Sequence, residues 1–264
     1  MKVLFIGDIV GRPGRDAFFS MLPALRKLKG PFDFVLINGE NSAAGRGITE
    51  KIMQEFFAAG VDGITSGNHI WDKRDFYPVL DSEERVLRPL NYPDGVPGHG
   101  CTVLTSRTGA KLAVVSLQGR VFMPPVDCPF KAMDKLLENI GDIPVFVDFH
   151  AEATSEKRVM GFYLDGRVSA LVGTHTHVQT ADEEILPRGT AYISDVGMTG
   201  PFRSSIGMTY ESVLPRFLTS LPARFELADE DVRLNGVIVD IDEEYHAACG
   251  IERISYRAGE LDEG

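Results

Sequence analysis

Short apolar runs alternate with longer amphipathic ones along the first quarter of the chain. "KVLFIGD" (2–8), "FDFVLINGEN" (32–41) and "VDGITSGNH" (61–69) read as strands, and the stretches Asp16 to Leu28 and Glu50 to Ala59 carry apolar residues at helical spacing. This β-α-β-α-β rhythm predicts a mostly parallel sheet. Thr49 is placed to cap the second helix and Gly60 to stop it, while Pro23 should kink or shorten the first.

The pattern then changes. "CTVLTSR" and "KLAVVSL" flank Thr108-Gly109 and predict an antiparallel hairpin. A helix from Lys131 to Ile140 follows, then "PVFVDFH", a helix from about Glu152 to Tyr163, and "VSALVGTHTH", which restore the strand-helix-strand order. "TAYISDVG", a helix over Glu211 to Leu218, and β-rich segments at Arg224–Leu227, Gly236–Ile241 and Ile251–Tyr256 complete the chain, and the tail "AGELDEG" reads as frayed. No repeat, linker or charge block divides it, so one α/β domain over residues 1–264 is expected, with two sheets each covered by helices on one face.

Composition narrows the class. With 264 residues, 44% hydrophobic and 25% charged, the chain has the make-up of a globular protein with a large core. No segment approaches the roughly 20 apolar residues that span a bilayer, and a cytoplasmic location is expected. Cys101, Cys128 and Cys249 are scattered, without C-x-x-C, which suggests neither a disulfide framework nor a thiolate zinc site. Net charge −11, from 27 basic and 38 acidic residues, argues against an extended nucleic-acid footprint. An anionic substrate would then need local positive charge, which bound metal ions can supply.

The polar residues collect at the carboxyl ends of the predicted strands, where open α/β sheets place their ligand sites. Asp8 ends the first, Glu40 and Asn41 the second, Asn68 and His69 the third; His150 ends "VFVDFH", and His175 and His177 end "ALVGTHTH". If strand geometry persists through H-x-H, alternation would aim both of those rings into one space. Each residue alone has an ordinary explanation as a turn, cap or core group. Together they form an oxygen and nitrogen donor set suited to Mn, Fe or Zn. With His69 set aside, seven donors exceed one tetrahedral site and suit two metals sharing a carboxylate, an arrangement used in phosphoryl transfer. Gly7, Gly39, Gly67 and Gly173, each just before a donor, would let the backbone turn in a crowded site.

"GD" near the start, "GNH", an isolated histidine and "GTHTH" resemble the ordered motifs of the calcineurin-like metallophosphoesterases. Val10 stands where that superfamily has the histidine of D-x-H, and "NGEN" replaces G-D-x-x-D. With "GDIVGRPGR", these departures resemble the YmdB-type branch. The resemblance implies a four-layer αββα sandwich of two mixed sheets, a pair of iron or manganese ions with zinc as a further option, and hydrolysis of 2',3'-cyclic nucleotides to 3'-nucleotides. By position, Asp8, Glu40, Asn41 and His177 would hold one metal with Glu40 bridging, Asn68, His150 and His175 would complete the other, and a metal-held hydroxide would attack phosphorus in line. His69 would protonate the leaving oxygen, a role suited to a group with reference pKa of about 6.5.

Arg12, Arg46 and Arg203 lie in Gly- or Pro-rich segments and are candidate phosphate contacts, with surface arginines the alternative. Asp148 and Glu152 flank His150 and are candidates for orienting ligands; Trp71 could stack on a base or simply pack. A phosphomonoesterase or short-RNA nuclease on the same site, or a metal-dependent regulatory protein with an RNA-processing partner, are the competing readings. A homo-oligomer is expected, with no interface indicated.

Overall fold

The computed structural model describes residues 1–261. In chain order it runs β1 (Lys2–Ile6), α1 (Gly11–Lys29), β2 (Phe34–Asn38), α2 (Glu50–Ala58), β3 (Gly63–Thr65), α3 (Tyr77–Ser82), β4 (Cys101–Thr105), β5 (Lys111–Gln118), α4 (Pro129–Leu137) and β6 (Val145–His150). It continues through α5 (Thr154–Leu164), β7 (Ala170–Thr174), β8 (Glu184–Ile185), β9 (Ala191–Ile193), β10 (Gly200–Pro201), α6 (Tyr210–Thr219), β11 (Val232–Ile241) and β12 (Ala248–Arg257). One sheet has the order β10-β11-β1-β2-β3, with β12 also paired to β11; the other runs β4-β5-β6-β7-β9-β8. Both are mixed. β1, β2 and β3 run parallel with β11 antiparallel to them, and β5, β6, β7 and β9 run parallel between antiparallel edges.

Strands buried on both faces read as continuous apolar runs, which is why "VLFI" and "VFVDF" do not alternate with polar residues. Val3, Phe5, Phe34 and Leu36 point inward and meet Leu112, Val114, Phe146 and Val172 of the second sheet. Phe5 and Phe146 have ring centroids 5.4 Å apart, and truncating either to Ala would cost about 3–5 kcal/mol. The outward residues Leu4, Ile6, Val35 and Ile37 pack under α1 and α2, and Val115, Val147 and Leu171 under α4 and α5. The result is the expected αββα sandwich.

The Thr49 hydroxyl accepts from the Ile52 amide, and Gly60 follows α2 with φ +88°. α1 begins five residues before the expected Asp16 and continues through Pro23. Gly11 (φ +58°) turns the chain into the helix, and Pro13 falls in the first turn, where backbone N–H groups have no helical partner. Arg224–Leu227 is not a strand. Its backbone bonds instead to the loop before α6, Thr209 N to Glu226 O (2.8 Å) and Ala228 N to Gly207 O (3.0 Å). In "AGELDEG", Ala258 N bonds Val232 O, and the last three residues of that expected frayed tail lie outside the described residues.

Candidate active site

Asp8, Glu40, Asn41, Asn68, His150, His175 and His177 gather where β1, β2, β3, β6 and β7 end. Asp8 Oδ1 accepts from Asn41 Nδ2 (3.4 Å) and lies 3.9 Å from His177 Nε2; Asp8 Oδ2 accepts from the His175 amide (3.1 Å). Glu40 Oε2 accepts from the amides of Gly67 (2.7 Å) and His69 (2.9 Å), on either side of Asn68. Glu40 Oε1 is 2.9 Å from His150 Nε2, yet no donor is directed at it, and Asn68 Oδ1 is likewise buried without a donor. Ligand atoms of Asp8, Glu40 and His150 all lie within 4.8 Å of one another and could hold a metal ion.

The protons on the imidazoles can be traced. The single hydroxyl proton of Thr174 goes to Asp148 Oδ1 (2.7 Å), so Thr174 Oγ1 accepts from His150 Nδ1 (2.9 Å), leaving Nε2 of a neutral ring with its lone pair. His177 Nδ1 donates to the Ile206 carbonyl (2.9 Å), which frees Nε2 toward Asp8. His175 Nε2 lies 3.2 Å from Glu152 Oε2, which frees Nδ1, and that atom sits 3.0 Å from His150 Nε2. With His150 neutral, two imidazole lone pairs and a carboxylate oxygen confront one another. Such a set repels unless a cation sits among it, and it is the donor chemistry that suits a hard or borderline metal ion. Asn41 places Nδ2 3.1 Å from His177 Nε2, and rotating its amide presents Oδ1 to the same space.

Ionisation follows the same logic. Burial pushes Asp8 above the usual carboxylate range. Burial also opposes charge on Glu40, but attraction to His150 outweighs it and holds Glu40 at about 2. Burial would depress His150, yet Glu40, Asp8 and Asp148 raise it to about 9. Burial and repulsion from His150 lower His175 to about 3, and burial raises Asp148 to about 6. The site thus calls for positive charge. A metal ion would supply it and keep His150 neutral.

The two histidines of "GTHTH" do not reach the cleft by strand alternation. β7 ends at Thr174, and His175 and His177 have φ of +97° and +66°, a left-handed backbone that few non-glycine residues adopt. The four glycines serve differently from the expectation, since none of Gly7, Gly39, Gly67 and Gly173 has a positive φ. What matters is the missing Cβ. One at Gly67 would lie 2.0 Å from His150 Cδ2, and one at Gly7 1.9 Å from the Gly197 carbonyl oxygen.

His69 stands at the cleft lip, its side chain 28% exposed and Nδ1 3.0 Å from Asp72 Oδ2. Asn68 and His69 open a 3-10 turn, so their side chains diverge. Asp148 reaches His150 only through Thr174, while Glu152 meets His175 directly. Arg46 lines the cleft. Arg12 and Arg203 do not: each is largely exposed and turned to a carboxylate, Asp16 (3.4 Å) and Glu230 (3.1 Å). Trp71 packs on Tyr77 and Tyr92 instead of facing the cleft. Sequence reasoning missed Lys157 and Asp195, which lie beneath the histidine turn, and the α6 residues that form the cleft's far wall. Asp195 had a signal, because it ends "AYISD" as Asp8 ends "VLFIGD"; the α6 residues belong to no motif.

A family model described as YmdB-like protein matches residues 4–254. The chain belongs to the YmdB-like protein family. It is 52% identical over 256 residues to a 2',3'-cyclic-nucleotide 2'-phosphodiesterase of Bacillus subtilis (strain 168), covering 96% of each chain. A hypothetical protein from Thermus thermophilus superimposes with a TM-score of 0.92 at 44% identity, covering 98% of this chain and 100% of the other. A novel phosphatase from Mycoplasma pneumoniae superimposes with a TM-score of 0.91 at 34% identity, covering 100% and 96%. This YmdB-like chain is a hydrolase with the metallophosphoesterase fold. Among its described residues, no helix is long and apolar enough to cross a membrane.

Proposed function

We propose that the chain is a metal-dependent phosphodiesterase acting on 2',3'-cyclic nucleotides, with products bearing a 3'-phosphate. The observation that carries this reading is the convergence of Glu40 Oε1, His150 Nε2 and His175 Nδ1, atoms that need a cation among them whenever His150 is neutral, beside the second set formed by Asp8 and His177. Two manganese or iron ions fit these sets. Asp8, Asn41 and His177 would hold one, and Asn68, His150 and His175 the other. Glu40, whose Oε2 accepts from two backbone amides, would be shared between them. When bound, such ions supply Lewis acidity toward the phosphoryl oxygens and a nucleophile at neutral pH.

The chain's own groups do the remaining work. Asp72 fixes the His69 ring through Nδ1, leaving Nε2 to hand a proton to the departing 2'-oxygen. Arg46 adds positive charge at the lip where an anion enters. The similarity to the Bacillus subtilis enzyme supports the substrate class.

The test is elemental analysis of the purified protein paired with turnover of 2',3'-cyclic AMP, 3',5'-cyclic AMP, a phosphomonoester and a short RNA, before and after chelation. Two ions per chain and chelation-sensitive turnover that favours the 2',3'-cyclic substrate are expected. Metal-loaded protein that turns over none of the four would overturn the reading in favour of a regulatory protein.

A further inference from the structure

The cavity that holds the ligand cluster has a second wall of opposite character. Val213, Arg216 and Phe217 of α6 stand at i, i+3 and i+4 and so share one helix face. With Ile206, Met208 and Phe225 they line the same space of about 470 Å³ as Glu40, Asn41, His175 and His177. That volume is within the range of small-ligand sites. Phe217 is 80% exposed, and the Arg216 guanidinium lies 5.8 Å from the centroid of Phe225. The wall is also tied to the cluster, because the Ile206 carbonyl accepts the His177 Nδ1 proton. An isolated exposed aromatic needs no explanation, but aromatic and aliphatic side chains converging on a polar cluster within one cavity do.

We propose that this wall is a nucleobase subsite, with the base lying against Phe217 and Phe225 and Arg216 closing over its outer edge. The proposal rests on the phosphodiesterase reading. A nucleotide has the two-ended chemistry the cavity presents: an anionic phosphate for the cation-demanding cluster and a flat π-surface for the aromatic wall. The continuity of the two ends in one cavity selects this occupant over a second protein chain. Trp71, the chain's single tryptophan, is already packed on Tyr77 and Tyr92 and leaves this role to α6. Stacking engages the π-face that every base has, so purines and pyrimidines are both accepted.

The experiment compares 2',3'-cyclic AMP with glycerol 1,2-cyclic phosphate, which has the same five-membered cyclic diester and no base, in the wild type and in Phe217→Ala and Arg216→Ala. In Phe217→Ala the ratio of kcat/KM for the nucleotide over the base-free ester should fall about tenfold, the scale of losing one base–aromatic contact. A ratio equal to wild type overturns the proposal. Equilibrium titration with adenosine reads the subsite without hydrolysis: binding should weaken about tenfold in Phe217→Ala, and unchanged binding overturns the subsite. If the wild type hydrolyses neither ester, the phosphodiesterase reading falls while the adenosine titration still decides the subsite. A change in sedimentation of Phe217→Ala with adenosine affinity intact would assign Phe217 to a contact between chains and overturn the proposal.

Discussion

Lys157 Nζ lies 2.7 Å from Asp195 Oδ2, with both side chains at most 2% exposed, and this pair holds the turn that carries His175 and His177. Lys157 also donates to the Thr174 carbonyl (2.8 Å), and Asp195 Oδ2 accepts from the amide (3.0 Å) and hydroxyl (2.8 Å) of Thr176. The residues before and between the two histidines are therefore tied to one ion pair. A left-handed backbone at a non-glycine residue costs roughly 1–3 kcal/mol and persists only where its surroundings over-determine it. This pair supplies that constraint.

Lys157→Met should cost about 3–5 kcal/mol in urea unfolding, because it strands a buried carboxylate. The double variant Lys157→Met with Asp195→Asn should recover part of that loss while still binding Mn at least tenfold more weakly than wild type by calorimetry. Strictly additive stability effects of the two substitutions would show that the pair is not coupled.

At Gly67 the limit is steric. A methyl group there would lie 2.0 Å from His150 Cδ2 and 2.3 Å from Nε2, on a ring with no solvent exposure into which to retreat. Gly67→Ala should therefore move the ring by about an ångström and lower kcat/KM about a hundredfold, with a parallel loss of metal affinity and retained far-UV circular dichroism. Near wild-type metal affinity would show that the backbone yields there instead.

How far the site was legible depends on which physical signal encodes each part. Apolar runs mark the strands, and parallel order places their ends on one edge, so Asp8, Glu40, Asn68, His150 and the two histidines could be found as strand-end residues. Their partners could not. Glu40 meets His150 across 110 positions of chain, and that pairing depends on how the two sheets face each other. The H-x-H spacing pointed to two rings that both line the cleft, but left-handed backbone and not alternation turns them inward. Arg12 and Arg203 show the limit of composition, because a guanidinium near glycines turns as readily to a neighbouring carboxylate as to a ligand.

Thr174→Val keeps the side chain's shape and removes the acceptor for His150 Nδ1 and the donor to Asp148. With its proton position no longer fixed, His150 should bind metal about 10–100-fold more weakly, the usual scale for losing such a partner. Thr174→Ser should restore most of the affinity. Calorimetric titration with Mn would check both, and equal affinities in Val and wild-type proteins would show that Thr174 does not fix the His150 proton.

In the metal-free protein, stability should fall as pH rises from about 6.5 to 9. Burial disfavours charge on His150, but the acids around it hold its folded pKa at about 9, above the reference value of 6.5. A group raised in this way contributes its stability below the unfolded pKa and loses it as pH rises through the folded one. Glu40 has the opposite sign: held at about 2 against burial by His150, it contributes above 4.5 and loses that contribution as the solution is acidified. Metal offsets the alkaline limb, because the ion takes the proton's place and its binding strengthens as His150 becomes neutral. Urea midpoints measured with chelator at pH 6.5 and pH 9 should therefore drop in wild type, drop less in His150→Gln, and hold steady in metal-loaded protein. Equal drops in wild type and His150→Gln would place the titrating group elsewhere.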